Sequence, residues 1–190
     1  MTESECGGTP GQTQGSENAR KSEIRKALRA TLAAMSDADR HDKSLAACNV
    51  VAATPEFQSA GVIMLYLAVP TEVDVAPLAL RAWQHNKTVV VPKVSWDQRR
   101  MLAVEITSLN TGLSTTHNGV REPIAGSPIP ANMIDFVVVP GLGFTANGHR
   151  IGRGMGFYDR FLAQGDFTGA SCGIAFEEQL VSSLDRKSVV

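Results

Sequence analysis

The sequence predicts an α/β fold with parallel strands, and two stretches carry that expectation. Val62 to Leu67 reads as a buried strand and Thr88 to Val91 as another. Between them, Asp74 to His85 reads as a helix with Val75, Leu78, Ala79 and Ala82 on one face. Strand, helix, strand is a βαβ unit, whose strands run parallel and whose crossover is right-handed. Further along, Val137, Val138 and Val139 form a β-branched run suited to a third buried strand, which Pro140 and Gly141 end.

Composition narrows the function classes. A chain of 190 residues with 43% hydrophobic and 19% charged residues is long enough for one domain with a proper core. A net charge of −1 supplies no general attraction to nucleic acid or to an anionic membrane, so any phosphate binding has to be local. Cys6, Cys48 and Cys172 form no C-x-x-C pair and are odd in number, which fits unpaired thiols in a reducing compartment. The histidines are scattered singly without H-E-x-x-H, so zinc is not expected. Residues 1–20 are rich in Gly, Ser, Thr and Gln with no apolar run, and read as a disordered leader rather than a signal peptide. The longest apolar stretch, Val62 to Val69, is too short to span a bilayer. The expectation is a cytoplasmic monomer whose domain occupies residues 21–190.

Ser22 to Met35 is dense in helix formers, with Ile24, Leu28, Thr31 and Leu32 as its apolar stripe. Lys21 and Arg25, four apart, share one face near its start. By spacing alone they read first as a solvated basic edge. Ser36-Asp37-Ala38-Asp39 resembles a capping box and opens a second helix through about Ala53, with Leu45, Cys48 and Ala52 expected inward; Pro55 breaks it. The loop AVPTEVD follows the first strand of the βαβ unit, where open parallel sheets bind ligands, and it carries Glu72 and Asp74. Asp74 reads as a helix N-cap. Met101 to Ile106 reads as a strand, Asn110 to Pro130 as a long Gly-, Thr- and Pro-rich loop, and Ala170 to Phe176 as a final core strand before a turn or helix at Glu177 to Leu180.

Asp135 to Leu162 concentrates the chemistry. After the valine run and an Asn147-Gly148 turn come Gly152, Gly154 and Gly156 at every second position, with Arg150, Arg153 and Arg160 in and around them. Phe157, Tyr158, Phe161 and Leu162 follow at helical spacing. Strand, glycine-rich basic loop and short helix make a phosphate cradle, in which backbone N–H groups approach an anion and arginines neutralise it. Asp159 places a carboxylate beside the cradle, where a phosphate-bound Mg²⁺ could use it. The dinucleotide fingerprint fails at Phe157, and no G-x-x-x-x-G-K-[ST] occurs. A tight hairpin near a sheet edge is the plainer reading of the same glycines.

The string VPGLGFTANGHRIGRGMGFYDRFL resembles the signature of the 5-formyltetrahydrofolate cyclo-ligases, also called methenyltetrahydrofolate synthetases. The resemblance runs from Lys21 to about Leu180. It implies a three-layer single domain, with a mostly parallel central sheet flanked by helices. The implied activity is ATP-dependent ring closure of 5-formyltetrahydrofolate to 5,10-methenyltetrahydrofolate, giving ADP and phosphate, with Mg²⁺ accompanying the nucleotide. The family's Lys-x-x-x-Arg before a Met-Ser break is matched by Lys21, Arg25 and Met35-Ser36, which implies that Lys21 and Arg25 contact the ATP phosphates. Arg150, Gly152, Arg153, Gly154, Gly156 and Tyr158 would complete the ATP site, and Arg150, Arg153 and Tyr158 would serve catalysis. Glu72 would recognise the pterin N–H groups against a wall at Leu67, with Arg153, Met155, Gly156 and Phe157 also touching folate. Asp159 would hold the metal.

The chain departs from that signature in three places. Phe157 stands where a tyrosine is usual, and Met155 where glycine or lysine is common. Past Leu184 only Asp185 offers a second metal-side carboxylate, so the domain is expected to be shortened at its C-terminal end. Arg121-Glu122-Pro123 resembles a Glu-Pro of bacterial members. A non-catalytic folate- or nucleotide-binding relative, and a sugar-phosphate enzyme on a similar scaffold, are the competing readings.

Overall fold

A computed structural model of the chain describes residues 10–116 and 119–184, with side chains from residue 19 onward. The helices α1 (Pro10–Ala34), α2 (Asp37–Ala52) and α3 (Pro55–Ser59) come first. Strand β1 (Val62–Met64), helix α4 (Ala76–Gln84) and strand β2 (Thr88–Ser95) form the expected βαβ unit, with β1 and β2 parallel. Strands β3 (Arg100–Glu105), β4 (Leu113–Thr115), β5 (Arg121–Pro123) and β6 (Pro128–Ile129) follow. Then come β7 (Phe136–Val139), the short pair β8 (Gly143–Phe144) and β9 (Arg150–Ile151), helix α5 (Phe157–Leu162) and β10 (Ala170–Gly173).

The central sheet has the order β10-β7-β1-β2-β3-β6. Its first four strands are mutually parallel, while β3 and β6 add on antiparallel. Side chains alternate across the strands and sort the core into two layers. Ile63, Val89, Val91, Phe136 and Val138 face α1–α4, where Leu28, Leu32, Cys48, Phe57 and Leu78 meet them. Met64, Val90, Val137 and Val139 face the other side, where Phe161 of α5 covers them. Helices, sheet and helix are the three layers expected. Asp135 ties two strands at their entry, its Oδ2 accepting from the Gly61 and Val62 N–H groups at 2.8 and 2.9 Å.

The structure revises several boundaries. Helix α1 begins at Pro10, not near residue 22, so residues 10–20 of the expected leader are helical and only residues 1–9 of it lie outside the description. That segment has no apolar stripe to announce a helix. Pro at the start is pre-organised for one, however, and extending a helix already packed further on needs no new nucleus. On α2 the buried residues are Ser44, Cys48 and Val51, whereas Leu45 is 39% exposed. The inward face is rotated about one residue from the expected one because small Ser44 can approach the loop before α4, where its hydroxyl accepts the Asp74 N–H at 3.0 Å. Helix α4 starts at Ala76, and Asp74 caps it from two residues upstream by accepting the Ala76 N–H. The stretch Asn110 to Pro130 is no structureless loop, since it contains the β4–β5 hairpin and β6. Strand β10 stops at Gly173 and lies at the sheet edge, half-buried, with Ile174 and Phe176 completing the core beyond it.

Candidate functional site

The carboxyl ends of β1, β2 and β7 open into a cavity of about 600 Å³. Every candidate site residue of the sequence lines it: Lys21 and Arg25 from α1, Leu67 and Glu72 from the loop after β1, and the run from Arg150 through Asp159. Helix α1 is docked onto the glycine-rich loop itself, for Arg25 Nε donates to the Gly152 carbonyl at 2.9 Å.

The three arginines of the loop do different things. Arg150 is buried, 8% exposed, and donates through Nη1 to the Pro140 carbonyl at 3.3 Å and through Nη2 to Asp159. Its guanidinium lies 5.9 Å from the Tyr158 ring centroid. It therefore braces the end of β7 against α5, and its buried Nε has no partner. Arg153 points into the open cavity, where its Nε and Nη2 both donate to Glu72 Oε1 at 3.1 and 3.0 Å. The other Glu72 oxygen accepts from the Val69 N–H at 3.1 Å, which fixes the carboxylate's orientation. Arg160 turns outward, donating to the Arg99 and Met155 carbonyls and covering the Phe157 ring at 5.1 Å.

Two groups are set by burial. The Tyr158 hydroxyl is buried without a partner, and burial first, then the Glu72 carboxylate, push its titration far above the usual phenol range, with Arg150 opposing. Tyr158 is thus a neutral donor at any ordinary pH. Tyr66 is raised in the same direction by burial, then by Glu72, but its hydroxyl donates to the Val73 carbonyl at 2.7 Å and so acts in the scaffold.

Metal-binding capacity is narrow. Among the described residues no three His, Cys, Asp or Glu side chains cluster as a metal site. Asp159 lines the cavity with a side chain 42% exposed, and Arg150 holds one of its oxygens. One carboxylate fits a Mg²⁺ that keeps its waters and arrives on a nucleotide, and does not fit a metal caged by protein ligands. Asp185 lies outside the described residues.

Sequence reasoning missed two walls. Thr116, Val120, Arg121 and Glu122 of the β4–β5 hairpin line the cavity, as do Pro92, Val94 and Trp96 of β2 and its turn, and Met101 of β3. The second wall had a signal: positions 92, 94 and 96 alternate, which is the period of one strand face.

Comparisons with known proteins agree with one another. Residues 17–186 match the profile of the 5-formyltetrahydrofolate cyclo-ligase family. The mouse 5-formyltetrahydrofolate cyclo-ligase is 27% identical over 173 residues, covering 86% of this chain and 85% of that protein. The Haemophilus influenzae 5-formyltetrahydrofolate cyclo-ligase is 28% identical over 167 residues, covering 86% and 87%. The solution structure of Aquifex aeolicus 5,10-methenyltetrahydrofolate synthetase superposes with a TM-score of 0.75 at 29% identity, covering 88% of this chain and 84% of that one. No helix among the described residues is long and apolar enough to cross a membrane.

Proposed function

Because the chain belongs to the 5-formyltetrahydrofolate cyclo-ligase family, we propose that it closes 5-formyltetrahydrofolate to 5,10-methenyltetrahydrofolate at the expense of ATP. The carrying observation is one cavity lined together by the α1 cations, the glycine-rich loop and the Glu72–Arg153 pair. Among the described lining residues there is no Cys or Ser to act as a covalent nucleophile. Phosphoryl transfer followed by ring closure needs none, because it relies on positioning and charge neutralisation.

In this reading the formyl oxygen attacks the γ-phosphorus and ADP leaves. N10 then attacks the activated formyl carbon, its proton is lost, and phosphate departs as the ring closes. Lys21 and Arg25 hold phosphate oxygens, and the backbone of Gly152, Gly154 and Gly156 lets them approach. Glu72 accepts from pterin N–H groups beside Leu67, Met155 and Phe157. Arg153, displaced from Glu72 by those donors, turns to the transferring phosphoryl group. Tyr158 offers its buried hydroxyl as a neutral donor, and Arg150 keeps Tyr158 and Asp159 in place. Mg²⁺ held by Asp159 would neutralise phosphate charge. The free thiols Cys48 and Cys172 support a reducing, cytoplasmic setting.

The test is the ultraviolet absorbance of the methenyl product with and without ATP, run beside ADP release. Product formed only with ATP, in step with ADP, is the expected outcome. Binding of both substrates without product would favour a non-catalytic relative. ADP release indifferent to the folate would remove the reading.

A further inference from the structure

Gln179 is 1% exposed, the least of the buried polar side chains among the described residues. It ends a short 3-10 helix, Glu177–Gln179, and takes no part in lining the cavity. Both polar atoms of its side chain are nevertheless engaged. Oε1 accepts the Phe176 N–H at 2.8 Å, and Nε2 donates to the Gly141 carbonyl at 2.7 Å and the Leu142 carbonyl at 3.3 Å. These partners fix the amide's orientation, since an N–H faces the oxygen and two carbonyls face the nitrogen. An apolar side chain of the same size would fill the space without the cost of burying an amide.

The two carbonyls belong to the turn that carries the chain from β7 towards the glycine-rich loop. Arg150 holds that turn from the cavity side through the Pro140 carbonyl, and the Leu142 N–H donates to the Ile151 carbonyl at 2.8 Å. Ile151 immediately precedes Gly152, whose carbonyl Arg25 grips. Leu28, one helical turn on from Arg25, closes the circuit. A Cβ added at Gly143 would lie 2.7 Å from Leu28 Cδ1 and 3.3 Å from the Gln179 carbonyl oxygen. Helix α1, the turn and the segment ending at Gln179 therefore meet with no room to spare. Glu72, by contrast, takes its orientation from the Val69 N–H within its own loop.

We propose that Gln179 is a positioning residue for the nucleotide side of the cavity, acting through the Gly141 and Leu142 carbonyls on the seat that Gly152 offers Arg25. The inference rests on the proposed function and adds to it a residue outside the cavity. Without the amide the turn is held at one end only, and its shift passes through Ile151 to Gly152 and Arg25. A small displacement of groups that hold a reacting phosphate is costly in rate. The pterin side, oriented from the loop after β1, keeps its affinity.

The experiment measures binding of a non-hydrolysable ATP analogue and of 5-formyltetrahydrofolate by calorimetry, beside steady-state kinetics. It compares wild type, Gln179→Met, Gln179→Asn and Lys43→Met. Lys43 pairs with Glu178, so its loss loosens the same short helix without touching the Gly141 turn. Dissociation and Michaelis constants do not depend on the fraction folded, which separates positioning from stability. Gln179→Met, similar in volume, is expected to weaken the ATP analogue about three- to tenfold and to lower kcat about tenfold. Its dissociation constant for 5-formyltetrahydrofolate should stay within about twofold, as should every constant of Lys43→Met. Gln179→Asn keeps a neutral amide at shorter reach, should show the same pattern, and is read instead if the Met variant does not fold. Unchanged constants in the Gln179 variants, an equal loss for both ligands, or the same losses in Lys43→Met overturn the assignment. A wild type that binds neither ligand and forms no product overturns the proposed function itself, and this role of Gln179 with it.

Discussion

Arg153 spans the cavity to hold Glu72 with two of its nitrogens, across 81 residues of sequence. Without ligand, the residue proposed for phosphate and the residue proposed for pterin neutralise each other. Their contributions therefore cannot be independent. In a double-mutant cycle of Glu72→Gln and Arg153→Ala, the effects on the two KM values should fail to add by about 0.5–3 kcal/mol. Additive effects on both substrates would show that the pair is a surface contact without consequence for binding. The pair's own effect on stability should be small, about 1 kcal/mol or less, because Arg153 is half-exposed.

Arg150 should behave differently from Arg153. Its side chain is 5% exposed and joins Pro140, Asp159 and Tyr158. Arg150→Ala empties a buried site and removes the donor that joins the Pro140 carbonyl to Asp159, and is expected to lose about 1–3 kcal/mol of folding stability, read as a lower midpoint in urea. Arg150→Lys should not restore it, since one ammonium cannot replace the planar fork that serves two partners at once. An unchanged midpoint in Arg150→Ala would place this arginine outside the scaffold.

Two glycines separate backbone strain from steric collision. Gly154 has φ +109°, and a Cβ added there would meet only open space, so Gly154→Ala strains the loop alone, by about 1–3 kcal/mol, and should lower activity. At Gly169 an added Cβ would lie 2.3 Å from the Ile134 carbonyl oxygen and 2.7 Å from that of Asp135. Gly169→Ala should therefore destabilise the whole sheet edge, by about 1–3 kcal/mol or more, while the folded fraction keeps its KM values. Thermal melts beside kinetics on both variants distinguish the two.

Alkaline pH should weaken the fold in part through Cys48. Burial, then the Asp74 carboxylate, push its thiol up to about 11. The folded thiol keeps its proton after the unfolded chain has lost its own. This stabilisation is lost not below but above the ordinary thiol value: it is complete under about pH 8.5 and falls as pH rises towards 11. Between pH 9 and 10, about 1 kcal/mol of the decline should vanish in Cys48→Ala, measured as the slope of unfolding free energy against pH. An identical slope in both proteins would assign the decline to other groups.

Much of this architecture is legible in the sequence, because strands and helices announce themselves by local pattern. The valine run of β7, the apolar face of α4 and the Ser36 cap are local facts, and each appears where its pattern places it. The glycine-rich string likewise brings its own residues to one cavity. What local pattern cannot carry is pairing at a distance, such as Arg153 with Glu72, or the burial that makes Arg150 a brace as well as a cavity residue. Pro92 makes β2 look finished at Val91, although the strand runs on to Ser95. The Leu65 N–H donates to the Val90 carbonyl, so even-numbered residues of β2 direct their backbone groups towards β1. By Pro92 that neighbour has ended, and a missing N–H there breaks no ladder. A strand closed early hides the alternation that leads to Trp96.

The bond from Arg25 to the Gly152 carbonyl joins residues 127 positions apart, whereas the β2–β3 ribbon that bears Trp96 turns within a few residues. Short closures form in microseconds and long ones wait for the intervening chain to be ordered. The two sides of the cavity are thus separated in time as well as in space. As the chain leaves the ribosome the β2–β3 ribbon can form while α1 still awaits its partner loop, and Trp96 gains Phe157 only once that loop has followed. A chain interrupted before Gly152 lacks the loop that both sides of the cavity lean on.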